Sequence, residues 1–177
     1  MRRPPARGMT LLEVMVVVAL LGVLTALSAS SLGPLVGRYR QQAAAEAVAQ
    51  VVALARMEAR QQGRCYQVQV LSAGVPVAPG TSGDAIHVVR RADADCETAT
   101  PVLQPDTRFS DVRLPAGVVA LVPVGSSIPE LRPNGYTQDG LDTEIQVGPA
   151  GAPAARISIR SYGPVCAGPV APPRPCP

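Results

Sequence analysis

The 177-residue chain has no tryptophan, no lysine, one phenylalanine and one histidine, His87. With aromatic residues at 3% of the total, its core must be built from Val, Ile, Leu and Ala. Four cysteines, Cys65, Cys96, Cys166 and Cys176, contain no Cys-x-x-Cys pair, and a lone histidine cannot complete a zinc-type ligand set. No metal or other cofactor is therefore expected. Ser126, Ser127, Ser158 and Ser161 lie outside any Gly-x-Ser-x-Gly context, and no nucleophile is tied to His87 by a recognised motif, so the sequence does not read as an enzyme. All sixteen cations are arginines, and three of them, Arg2, Arg3 and Arg7, fall in the first eight residues. Beyond residue 8, thirteen arginines face thirteen acids, which removes any general attraction to nucleic acid or anionic lipid.

What is present is a long apolar run with one acid at its head. From Val14 to Gly37 there are 24 consecutive residues without charge, and a helix of about 20 such residues spans a hydrocarbon core. Glu13 sits at the start of that run. A carboxylate well inside a bilayer costs about 2.5–3.5 kcal/mol, so it needs a partner or a task. Arg7, six residues upstream, is off the same helical face. If the bond after Gly8 were cut, Met9 would carry a free amine one turn above Glu13, and stacked subunits could pair carboxylate with amine. The arginines of residues 1–8 hold that end in the cytoplasm, which places the remainder on the periplasmic side of an inner membrane.

The string Gly8-Met9-Thr10-Leu11-Leu12-Glu13-Val14 after a short Arg-rich leader resembles the class III signal of type IV prepilins and type II secretion pseudopilins. The resemblance implies that prepilin peptidase cleaves between Gly8 and Met9 and methylates the new amine, with Glu13 guiding assembly against neighbouring pilins. Phe is the usual first mature residue, and Met9 is a variant of it. An ordinary secreted or anchored periplasmic domain is the competing reading, with small residues near Ala26-Leu27-Ser28 or Ser28-Ala29-Ser30 as cleavage candidates. That reading leaves Glu13 without a reason.

Gly33-Pro34 is expected to interrupt the helix. Residues 38–63 then resume a helical pattern, with Val48, Val51, Val52, Ala55 and Ala59 as an apolar stripe and Gly63 as a left-handed cap. After Gly63 the period changes to two. Strands are expected at residues 64–71, 85–90, 117–123, 142–147 and 155–161, largely antiparallel. The mixed-charge stretch Arg90-Arg91-Ala92-Asp93-Ala94-Asp95 reads as a solvated turn. The expected fold is α+β, a long N-terminal helix against an antiparallel sheet, as in pilins. The divisions are a leader at 1–8, a membrane half-helix at 9–37, an amphipathic half-helix at 38–63, a sheet domain at 64–163 and a Pro-rich tail at 164–177.

An oxidising compartment favours two disulfides. Three pairings are possible, and Cys65 with Cys96 plus Cys166 with Cys176 is favoured, because the second pair would close the tail. The segment Leu131-Arg132-Pro133-Asn134-Gly135-Tyr136-Thr137, followed by strands at Glu144 and at Arg156-Ile157-Ser158-Ile159, is similar to the GspH/FimT (FimU-like) group of minor pilins and pseudopilins. This implies a structural subunit at a fibre tip or in priming. Members that bind DNA for transformation carry a Gly-Arg-x-Arg motif where this chain reads Gly163-Pro164-Val165-Cys166. DNA is therefore not an expected partner, although Arg156 and Arg160 share a strand face that could meet phosphates.

Overall fold

The computed structural model describes residues 10–92, 96, 101–137, 142–161 and 164–170, without the side chains of residues 26–32 and 34. Gly8, Met9, Gly163 and Cys176 lie outside the described residues. The chain divides into two compact units, one ending at Tyr39 and one beginning at Arg40.

Helix α1 spans Leu11–Gln62, 52 residues without a break. No melted turn interrupts it at Gly33-Pro34: the backbone stays helical through both residues. Proline's fixed φ is itself helical, so only its own missing N–H and the crowding of one preceding carbonyl are at stake. Among the described residues no helix is long and apolar enough to cross a membrane. The uncharged run read from the sequence includes residues 26–32 and 34, whose side chains are not described.

In the second unit, α1 buries Ala44, Ala45, Val48, Val52, Ala55 and Ala59. These positions recur at three and four residues, so they form one stripe. Val51, expected in that stripe, is only half-buried at its margin. Small side chains along it let the sheet approach closely. Gly63 ends the helix with φ 63°, and the Arg64 N–H returns to the Ala59 carbonyl at 3.3 Å.

Eleven strands follow: β1 (Tyr66–Ser72), β2 (Val75–Pro76), β3 (Ser82–Gly83), β4 (Ala85–Arg91), β5 (Leu103–Pro105), β6 (Val112–Arg113), β7 (Val119–Leu121), β8 (Glu130–Leu131), β9 (Thr143–Gly148), β10 (Ala155–Ile159) and β11 (Val165–Pro169). One sheet has the order β2-β1-β4-β5, with β6 on β4 and β8 on β1, and the other runs β11-β10-β9-β7-β3. Every pairing is antiparallel. Tyr66, Val68, Val70, Ile86 and Val88 from the first sheet and Ala120, Ile145, Val147, Ile157 and Ile159 from the second share one core with the helix stripe. The architecture is α+β, as expected.

Two expectations are corrected here. The stretch beginning at Arg90 is not simply solvated: Arg91 is 4% exposed and forms a buried ion pair with Glu130, its Nη2 donating to Oε2 at 3.1 Å and its Nε also facing the carboxylate. Asp93 and Asp95 lie outside the described residues. The supposed tail begins as a strand, β11, paired with β10 from Ile159↔Val165 to Ala155↔Pro169. Proline is tolerated in it for a geometric reason. The Val170 N–H donates to the Ala154 carbonyl, so alternation turns residue 168 toward β10 and residue 169 away from it, where a missing N–H breaks no ladder bond.

Candidate assembly surface

Thr10 caps the start of α1. Its backbone carbonyl accepts from the Glu13 N–H at 3.1 Å and from the Val14 N–H at 3.3 Å, and its Oγ1 also accepts from the Glu13 N–H at 3.3 Å. The Thr-x-x-Glu spacing is that of a capping box, and the hydroxyl half of the box is formed. Glu13 also lies in the first turn, where the helix dipole favours a negative charge. Sequence reasoning missed this local task, although the Thr10-to-Glu13 spacing signalled it.

Every described side chain from Thr10 to Thr25 is exposed. Leu11, Leu12, Met15, Val18, Leu20, Leu21, Val23 and Leu24 each leave more than half of their surface uncovered. Apolar side chains surround the helix on all sides, the pattern of a segment that a membrane or other helices must cover. Glu13 is exposed at the head of this surface.

The remaining site candidates are held within the second unit. Cys65 and Cys96 are joined by a disulfide with Cα atoms 5.8 Å apart. Cys65 immediately precedes β1, and both it and Tyr66 are fully buried. Cys166 is also disulfide-bonded, while Cys176 lies outside the described residues. Arg156 lies 3.4 Å from the Glu144 carboxylate on the adjacent strand. The Arg160 carbonyl accepts from Arg56 Nη2 at 2.6 Å, and both Arg156 and Arg160 are half-buried. A cation already facing a neighbouring acid is a poor phosphate contact.

The Pro133-Asn134-Gly135 segment forms a closed turn: the Gly135 N–H donates to the Arg132 carbonyl at 2.7 Å and the Arg132 N–H to the Tyr136 carbonyl at 2.8 Å. Asn134 Oδ1 accepts from the Tyr136 N–H at 3.0 Å. Arg60 of α1 lies directly over Gly135, where a Cβ would overlap its guanidinium. The turn thus docks the end of the helix. Arg56, one turn earlier on α1, has its pKa lowered, first by burial and then by the charge of Arg60.

Tyr66 Oη donates to Asp106 Oδ2 at 2.8 Å in a buried contact, and its ring meets Phe109 edge-on at 5.7 Å between centroids. His87 Nδ1, on β4, lies 2.5 Å from Oδ1 of Asp111, the residue before β6, so the lone histidine faces a carboxylate. Among the described residues no cluster of His, Cys, Asp and Glu is fit to hold a metal.

Residues 3–29 match the family described as the prokaryotic N-terminal methylation motif. The fold is similar to that of the minor pseudopilin EpsH from the type 2 secretion system of Vibrio cholerae, with a TM-score of 0.51, 14% identity, and coverage of 75% of this chain and 98% of that one. No curated protein matches the chain. A methylation-type amino terminus therefore stands on a minor pseudopilin fold. The two features together support a structural subunit of the type IV minor pilin or pseudopilin class, and they fit inner-membrane anchoring with a periplasmic domain. That class is not known for enzymatic activity.

Proposed function

We propose that this chain is a minor pilin or pseudopilin of the GspH/FimT group, cut by prepilin peptidase between Gly8 and Met9 and methylated at Met9. It is drawn from the inner membrane into a type IV pilus or a type II secretion pseudopilus, at the tip or in priming. The observation that carries this reading is the methylation motif at residues 3–29 running into an exposed apolar helix that begins with Glu13. The partners are prepilin peptidase and the helices of other subunits. Glu13 pairs with the amine of an adjacent subunit and sets the register. The Cys166 disulfide joins Cys176 and closes the carboxy-terminal segment beside β11.

Transformation-type DNA binding is disfavoured, since Arg156 faces Glu144 and the Gly-Arg-x-Arg motif is replaced by Gly163-Pro164-Val165-Cys166. The deciding experiment is the intact mass and amino-terminal sequence of the membrane-extracted protein. N-methylated Met9 as the first residue is the expected result. A start near Ser28 to Ser31 would mean an ordinary secreted domain.

A further inference from the structure

Two segments of the second unit, the loop region at residues 72–83 with its short strands β2 and β3 and the region at residues 117–129 around β7, share an unusual composition and one location. Residues 72–83 and 117–129 contain no charged side chain. They expose two large apolar tips, Val75 at 63% and Val124 at 86%. Pro76 and Val124 are exposed beside flanking Val77 and Pro123, which are half-covered. The loops are fastened to each other: the Gly80 N–H donates to the Val122 carbonyl at 2.7 Å. Gly80 has φ 89°, and a Cβ there would come within 2.7 Å of Val124 Cγ2. Val124 is thus propped outward against a backbone that only glycine can supply.

Their place follows from chain direction. Three residues connect the end of α1 at Gln62 to the start of β1 at Tyr66, and both elements line one core. So short a link forces β1 to run back along the helix toward Arg40. The loop after Ser72 therefore lies toward the end at which the chain enters this unit. β7 runs the same way, because Leu121 pairs with Ser82 and Ala120 with Gly83, so Val124 projects at that end also. The hairpin loop at residues 149–154 lies at the opposite end of β9, whose Gly148 pairs with Val119.

The chain reaching that end comes from the uncharged run Val14–Gly37. We infer that the loops carrying Val75 and Val124 form a footing that seats this unit on the phospholipid surface, with the two valines entering the boundary between headgroups and acyl chains. This rests on the membrane-anchored reading above. Apolar tips without charges of their own suit that boundary and gain from leaving water, while the exposed Asp84 carboxylate, which accepts from the Ala73 N–H at 3.1 Å, stays on the headgroup side of it. The footing would hold the unit upright until the subunit is extracted.

The absence of tryptophan provides the probe. Four single-tryptophan variants of the full chain, Val18→Trp, Val75→Trp, Val124→Trp and Ala150→Trp, are reconstituted into phosphatidylethanolamine/phosphatidylglycerol vesicles containing lipids brominated near the headgroup or near the chain end. The expected result is quenching of Val18→Trp, quenching of Val75→Trp and Val124→Trp chiefly by the headgroup-proximal bromines, and none for Ala150→Trp. If Val18→Trp is quenched while Val75→Trp and Val124→Trp behave like Ala150→Trp, the anchor stands and the footing is refuted. If Val18→Trp is not quenched, the anchored reading fails and the footing with it.

Discussion

At the residue scale the second unit is held by a few buried polar contacts set into an aliphatic core, and Tyr66 is the clearest of them. Its phenol is fully buried, donates to Asp106 and stacks edge-on against Phe109. Asp106 is itself positioned by accepting from the Arg108 N–H at 3.1 Å. Burial first, and the Asp106 hydrogen bond second, raise the Tyr66 pKa above its ordinary 10.0. The sign follows from proton binding: the folded state holds the phenolic proton more tightly than the unfolded state. The associated stability is complete below pH of about 10 and is lost as pH rises through the raised folded value. Denaturant titrations of the wild type should show stability falling above that pH. Tyr66→Phe should show a shallower fall there, together with a loss of about 1–3 kcal/mol at neutral pH from the unpaired Asp106 oxygen. A wild-type and variant slope that coincide in alkali would remove Tyr66 as the cause. The Arg91–Glu130 pair belongs to the same scale. With both side chains 5% exposed, it costs desolvation and gains a forked geometry, so its main effect is to fix β8 against the end of β4.

At the element scale the Cys65–Cys96 disulfide ties the exit of α1 to the segment following β4, across a sequence separation of 31 residues. Its neighbours are backbone bonds that fasten the same place: the Arg91 N–H donates to the Cys65 carbonyl at 2.9 Å, and the Ala92 N–H to the Val102 carbonyl at 2.8 Å. On loop-closure entropy, a crosslink of this span contributes about 3–4 kcal/mol. Replacing both Cys65 and Cys96 by serine should lower the unfolding free energy by about that amount in a denaturant titration; a loss under about 1 kcal/mol would show that the hydrogen bonds alone close the segment. Much of this layer was legible beforehand. The 3.6-residue stripe from Val48 to Ala59 and the alternation of Ile157 and Ile159 are properties of single elements, written in spacing alone. The two-residue strands β2, β3, β6 and β8 were not legible, since so short a run has no period and is defined by its partner. Nor was Arg91: a cation in a mixed-charge string looks solvated until Glu130, 39 residues away, is brought beside it. Pro169 hid β11 because its tolerance depends on which way one N–H points. The unbroken helical assignment through Gly33-Pro34 was not legible, because proline there removes one bond from a helix with many.

At the scale of the whole molecule, the two units meet different demands. The second has its own core, its own crosslink and a buried helix stripe. The first, from Thr10 to Tyr39, exposes apolar side chains on every described face, which is a stable arrangement only against lipid or other helices. Glu13 can be tested without disturbing either unit. Its backbone N–H, which supplies the Thr10 cap bonds, is unaffected by replacing the side chain, and its carboxylate is exposed. Glu13→Ala should therefore keep the Thr10 cap bonds, give up only the dipole contribution of about 0.3–1 kcal/mol, and leave the melting of the second unit unchanged. It should remain in the membrane fraction, cleaved after Gly8, while its amount in sheared fibres or extracted pseudopili falls by about tenfold or more. That fall corresponds to about 1.4 kcal/mol lost per subunit added, a modest demand on a carboxylate–amine pair in a low-dielectric fibre interior. Wild-type levels of the variant in the fibre fraction would mean that Glu13 serves only the helix cap and the dipole, and that register is set by apolar packing alone.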